Sequence, residues 1–214
     1  MNKVIGIFRT LLILLSVTNL FAQNDLDKQY EIDKFKPFSK YSTRTELYQG
    51  LSPQDSIRYF EVIFYSPGII PEKQLLVYKG DSSMFRNITK GLEPTSGFYI
   101  ECDPGICFTY IVAIDKNDSL VVIDDKNELR KFMGTIDNQE ELLLRVKSEG
   151  LWYDQDTIIG GSYLEREEDY LLYLMEYSSW PVTYRSVRAL MTKSGEFEVI
   201  DKSIYYQTNE YYTH

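Results

Sequence analysis

The chain has 214 residues, with 32 acidic against 23 basic side chains, a net charge of −9 and 43% apolar residues. A surface of that sign repels phosphate backbones and anionic membranes, and no basic stripe reverses it locally, which argues against nucleic acid as a partner. A single His, the terminal His214, and two Cys leave no set of four nitrogen or sulfur ligands for zinc, so no metal or cofactor site is expected.

The chain opens with Lys3 and Arg9 ahead of the apolar run Leu11–Val17, and the small residue Ala22 closes the segment before Gln23-Asn24-Asp25. That order of charge, apolar run and small residue is an export signal, and the run is far shorter than the roughly 20 apolar residues of a membrane span. Residues 1–22 are therefore expected to be removed, leaving a protein that is periplasmic or secreted. The ending Phe21-Ala22-Gln23 resembles leaders of exported bacterial proteins. Cleavage would leave 21 basic against 32 acidic residues, a charge of −11, and about 190 residues, enough for one well-buried core. No second apolar span follows.

Residues 23–45 are polar and weakly patterned, a lead-in to a single domain expected over 46–214. Ile57–Tyr65, rich in β-branched and aromatic residues, is the first strand, and Gln74–Tyr78 the second. Ser82 to Gly91 reads either as a loop or as a short helix capped by Ser82 or Ser83. Phe98–Cys102, Cys107–Asp115 and Leu120–Asp124 follow as consecutive strands.

Between the first two lies Cys102-Asp103-Pro104-Gly105-Ile106-Cys107. Pro-Gly at the centre of four residues is a β-turn signal, which sets the two cysteines opposite each other with Cβ atoms about 4.5–5.5 Å apart. In an oxidising compartment that spacing predicts a Cys102–Cys107 disulfide. Two unbridged buried thiols are the main rival, because a redox pair normally shows Cys-x-x-Cys at a helix start.

Asp125 followed by Glu128 is a capping box, and Leu129, Phe132, Met133 and Ile136 form one apolar helical stripe ended by Gly134. Asp137 and Glu140 repeat the cap spacing for a second helix that buries Leu142, Leu143 and Val146 and stops at Gly150. Tyr170–Tyr177 alternates Tyr and Leu as a strand, although Leu164–Met175 also reads as a helix. Val182–Thr192 and Glu196–Tyr206 are long strands joined by Lys193-Ser194-Gly195. The expected fold is α+β: an antiparallel β-sheet meander with two short helices packed on one face.

Chemistry-bearing patterns are sparse. Asp115–Lys126 starts like a calcium loop but has Leu120 at the sixth position and Lys126 at the twelfth, so a hairpin turn is expected. Asp124 and Asp125 read as helix caps, Gly160-Gly161-Ser162 as a turn or bulge, and Glu165–Asp169 as a solvated connection with a weak cation site as the rival reading. No nucleophile elbow, His-Glu-x-x-His or phosphate loop occurs. Three Asp-Ser/Thr-aliphatic triplets, at Asp55, Asp118 and Asp156, are similar to a short bacterial O-glycosylation signal.

The unusual count is 18 Tyr against 2 Trp, and Tyr suits binding surfaces because its ring offers area and its hydroxyl a hydrogen bond. Strand alternation sets Tyr170, Leu172 and Leu174 on one face and Leu171, Tyr173, Met175 and Tyr177 on the other. The face of Tyr170, with Trp180 at its rim, is the expected docking surface for a protein or glycan partner. The functional expectation is an exported, non-catalytic binding domain that uses an aromatic sheet face. The alternative is a cell-envelope or glycan hydrolase using paired carboxylates, which leave no local signature.

Overall fold

The computed structural model describes residues 32–41, 44–81, 92, 94–100, 102 and 106–209. The leader, the helix-or-loop stretch from Ser82 to Gly91, the Asp103-Pro104-Gly105 turn and His214 lie outside the described residues. The chain divides into a unit ending at Lys36, in which one 3-10 turn spans Ile32–Lys34, and a unit running from Pro37 to His214.

The fold is α+β, with antiparallel strands throughout, and the strands form two sheets where the sequence suggested one. The central sheet has the order β3 (Lys73–Gly80), β2 (Ile57–Tyr65), β5 (Phe108–Asp115), β4 (Tyr99–Ile100), and β6 (Leu120–Ile123) also pairs with β5. The C-terminal sheet runs β1 (Lys36–Pro37), β7 (Ser162–Glu165), β8 (Asp169–Ser179), β9 (Val182–Thr192), β10 (Phe197–Gln207). The helices are α1 (Arg44–Gln49), α2 (Lys126–Met133) and α3 (Gln139–Ser148).

Both faces of the central sheet are covered along β5, where six consecutive residues from Phe108 to Ala113 are buried. Alternation splits them. Ile111 and Ala113 join Phe60 and Val62 of β2 in the main core, while Phe108, Tyr110 and Val112 join Tyr59 and Ile63 in a smaller cluster on the opposite face.

The main core is shared by the two sheets and the helices. It contains Leu129, Phe132 and Met133 of α2, Leu142, Leu143, Leu144 and Val146 of α3, and Tyr170, Leu172, Leu174, Val187, Ala189 and Met191 of the C-terminal sheet. α2 begins at the expected cap, where the Asp125 carboxylate accepts the backbone N–H groups of Asn127 and Glu128, but the Glu128 carboxylate accepts the N–H of Asp124 in place of that of Asp125; Gly134 ends the helix at a φ of 72°. Asp124 is not a cap; it accepts a hydrogen bond from the Ser96 hydroxyl.

α3 departs from the sequence reading in two ways. Its N-cap is Asn138, one residue later than expected, and Asn138 Oδ1 accepts the N–H of Glu141. That shift lets the Glu141 carboxylate take up the backbone N–H groups of Ser52 and Asp137. The helix is also buried all round, from Glu141 to Val146 without a break, because it lies in the core common to both sheets instead of resting on one sheet surface.

The C-terminal sheet is clasped to the helices through the β9–β10 turn. Ile136 donates its N–H to Lys193 O, and Arg145 Nε donates to Gly195 O at 2.9 Å. Tyr170 completes the clasp: its hydroxyl donates to Ile136 O at 3.1 Å and accepts from Lys193 Nζ, which also stands 4.0 Å from the Tyr170 ring centre. Tyr170 is thus a structural residue of the main core. Tyr170→Phe is expected to destabilise the fold by about 1–3 kcal/mol in a urea melt, through loss of a buried hydrogen bond. An unchanged melt would show that the hydroxyl holds nothing.

Candidate functional site: an aromatic cleft at the helix ends

The docking face expected from the sequence does not form. Tyr170, Leu172 and Leu174 face the helices, with Tyr170 only 2% exposed, so the ring is sealed by the chain's own residues. The face carrying Leu171, Tyr173, Met175 and Tyr177 is the outer one, and there the Tyr177 ring meets Tyr184 of β9 at a tilt, and Tyr184 meets Tyr206 of β10. Trp180 sits in the two-residue turn between β8 and β9 and is 59% exposed. Tyr170, in the core, and Trp180, in an exposed turn, therefore do not form one docking surface. The assignment inverted because both faces of β8 are apolar in sequence, and the deciding contact, Tyr170 to Ile136, is long-range.

The remaining sequence candidates resolve as local structure. Asp115 Oδ1 accepts the N–H groups of Asn117 and Ser119 and so closes the β5–β6 hairpin. Glu165 pairs with Lys193 and Arg166 with Asp169 across the β7–β8 turn. Cys102 and Cys107 are bonded, with Cα atoms 5.7 Å apart, a bridge compatible with an oxidising compartment. Among the described residues, no helix is long and apolar enough to cross a membrane.

The most distinctive opening is a cleft of about 330 Å³ where β4 meets the start of α2 and the end of α3. It is lined by Gly97–Ile100, Asp125, Lys126, Lys147, Ser148, Gly150 and Trp152. Local rules place each wall. Gly150, at a φ of 76°, ends α3 and turns the chain so that Trp152 forms an isolated antiparallel bridge with Met175 of β8. Lys147 belongs to the last turn of α3, where a cation is favoured by the helix dipole. Its Nζ donates to the Tyr99 hydroxyl at 3.1 Å and lies 4.8 Å from the Tyr99 ring and 4.9 Å from the Trp152 ring. The two rings meet edge to face, 6.2 Å apart, and Trp152 remains 45% exposed. A second, mainly apolar depression of about 220 Å³ lies between β6 and α2.

Charge at the cleft is distributed unevenly. Glu149 is shared by Lys126, at 2.7 Å, and Arg145. Burial opposes its charge, but Lys126 and Arg145 hold its carboxyl below the usual range. Asp125 is the one carboxylate lining the cleft among the described residues, and its Oδ1 is occupied by the α2 cap. With Asp124 and Glu128 it forms a close group of three, all drawn into hydrogen bonds around the helix start.

Carboxyls with raised proton affinity lie elsewhere. Glu61, buried on β2, is pushed up by burial although the Tyr59 hydroxyl donates to it at 2.9 Å, and the nearby buried Tyr110 hydroxyl has no hydrogen-bond partner among the described residues. Glu141 is pushed up to about 7, first by burial and then by the neighbouring Asp137, against the two backbone N–H groups that favour its charge. Neither of these carboxyls lines the cleft.

Trp152 and Tyr99 carried no sequence signal as a site. Trp152 sits outside any periodic run, and Tyr99 reads as an ordinary strand aromatic. No protein-family model, curated protein or solved structure matches the chain.

The Glu141 shift has a measurable consequence. The unfolded chain releases this proton near the ordinary carboxyl range, whereas the folded chain keeps it until about pH 7. Stability is therefore greatest below the unfolded value and falls as pH rises from about 4.5 to 7, by up to about 3 kcal/mol. Glu141→Gln is expected to flatten that dependence in urea melts across this window. An unchanged slope would assign it to other groups.

Proposed function

We propose that the protein is an exported, non-catalytic binding domain that holds its ligand, a glycan or a protein partner, against an exposed aromatic surface. The observation that carries this reading is the Trp152 indole, half open to solvent at the mouth of a cleft whose other wall is Tyr99, with Lys147 fixing both rings. Ligand sites are concave, largely apolar and furnished with a few convergent polar groups, and roughly 300–1,000 Å³ is their usual size. An aromatic ring held rigid by its neighbours costs little entropy when a ligand stacks on it.

A hydrolase working through paired carboxylates has less behind it. The cleft offers Asp125 alone among the described residues, and the carboxyls with raised proton affinity are buried elsewhere. Export is supported by the leader composition and by a disulfide that suits an oxidising compartment.

Two experiments test this reading. Protein recovered from the periplasm or medium is expected to have an intact mass beginning at Gln23; a membrane-bound species retaining residues 1–22 would overturn the soluble exported assignment. On a glycan array and against envelope proteins, Trp152→Ala is expected to weaken binding about tenfold or more, while Trp180→Phe leaves it unchanged. Binding indifferent to Trp152→Ala would remove the cleft from the account.

A further inference from the structure

Neither sign of charge is set aside for a ligand at the cleft. The carboxylates around it, Asp124, Asp125, Glu128 and Glu149, outnumber the cations Lys126, Arg145 and Lys147, and the groups hold one another. Lys126 and Arg145 share Glu149, Asp124 accepts from the Ser96 hydroxyl, and Glu128 accepts the Asp124 N–H. A ligand anion therefore meets a surplus of negative charge. A ligand cation fares no better, because Lys147 Nζ already stands over both rings, 4.8 Å from Tyr99 and 4.9 Å from Trp152, where a cation would sit. An extended peptide has little to pair with, since β4 offers a strand of two residues.

Resting on the binding reading above, we propose that the cleft receives an uncharged sugar unit, its ring stacked on Trp152 and one of its hydroxyls donating to Asp125. The face and the edge of such a ring answer two separate features of the site. A pyranose with equatorial hydroxyls presents a face of C–H groups with slight positive charge, which complements the negative face of the indole, and Trp152 is 45% exposed to receive it. The hydroxyls point outward around the ring edge. Asp125 Oδ1 is taken by the N–H groups of Asn127 and Glu128, and the second oxygen accepts the sugar hydroxyl in a hydrogen bond strengthened by the carboxylate charge. A neutral ligand makes both contacts without the cost of stripping water from an ion. A cleft of about 330 Å³ suits one such unit with its substituents, so recognition of a single residue within or at the end of a longer chain is expected.

The test uses the Trp180→Phe protein, in which Trp152 is the remaining tryptophan and its emission reports on the cleft directly. The probes are three β-1,4-linked tetrasaccharides of one backbone: neutral cellotetraose, its glucuronate counterpart and its glucosamine counterpart, compared at mildly acidic pH where the last two carry charge. Cellotetraose is expected to change Trp152 emission and to bind about tenfold tighter than either charged form. Asp125→Asn keeps the α2 cap, since Asn caps as well as Asp, and is expected to weaken cellotetraose about tenfold, with the melting temperature confirming that this variant folds. A charged form that binds as tightly as cellotetraose, or undiminished binding by Asp125→Asn, would overturn the neutral-sugar inference and leave the aromatic binding reading standing. No response to any of the three would overturn it as well, and the Trp152→Ala result on the wider panel then decides the binding reading independently.

Discussion

An ionised carboxyl or guanidinium removed from water costs several kcal/mol unless the protein supplies partners, and α3 carries one of each into the middle of the core. Glu141 and Arg145 stand one turn apart, both buried, in a run of six residues with no solvent-facing side. Their partners come from distant segments. Ser52, after α1, and Asp137, before α3, supply N–H groups to Glu141; Gly195, in the β9–β10 turn, supplies a carbonyl to Arg145; Glu149 neutralises it. The positions of α1, of the α2–α3 link and of the C-terminal sheet are thus conditions for burying this helix. The partly protonated state of Glu141 near neutrality is what remains of the cost.

The cleft inherits its character from the same helix. Arg145 reaches Glu149, Glu149 reaches Lys126 at the start of α2, and Lys147 on the adjacent position reaches Tyr99. A polar network required by the core therefore reaches the surface beside the cleft, and the turn at Gly150 brings Trp152 into place there. Glu149 joins the core to the surface: its removal would leave Arg145 buried without that carboxylate and Lys126 without its ion pair.

Local signals in the sequence were dependable where one residue pair decides the outcome. Asp125 placed the start of α2, the close spacing of Cys102 and Cys107 foretold their disulfide, and the Tyr–Leu alternation from Tyr170 marked β8 as a strand. Long-range choices were not legible. Nothing near Tyr170 announces that its hydroxyl will bond Ile136 O, so the inner and outer faces of β8 were exchanged. The cap of α3 is Asn138 and not Asp137, and the Glu141 carboxylate there accepts from Ser52, 89 residues away, a contact that no local pattern announces. α1 was passed over because six residues in a polar context have no period to read, although Leu47 and Tyr48 bury fully. The cleft is assembled from three stretches, Gly97–Ile100, Asp125–Lys126 and 147–152, none of which carries a ligand-binding motif by itself.

The shared core also constrains the order in which the chain can fold. The central sheet is complete by Ile123, yet its inner-face residues Phe60, Val62, Ile111 and Ala113 share one core with Leu142–Val146 of α3 and with Val187, Ala189 and Met191 of β9. A chain emerging N-terminus first, from a ribosome or through a membrane pore, cannot complete that interior until β9 has appeared. Closure is therefore expected to be a late and collective event dominated by distant contacts, slower than in a helical bundle of equal size. Until then a flat apolar β-surface stands open, which makes the half-emerged chain, more than the finished protein, the species in need of a holding chaperone.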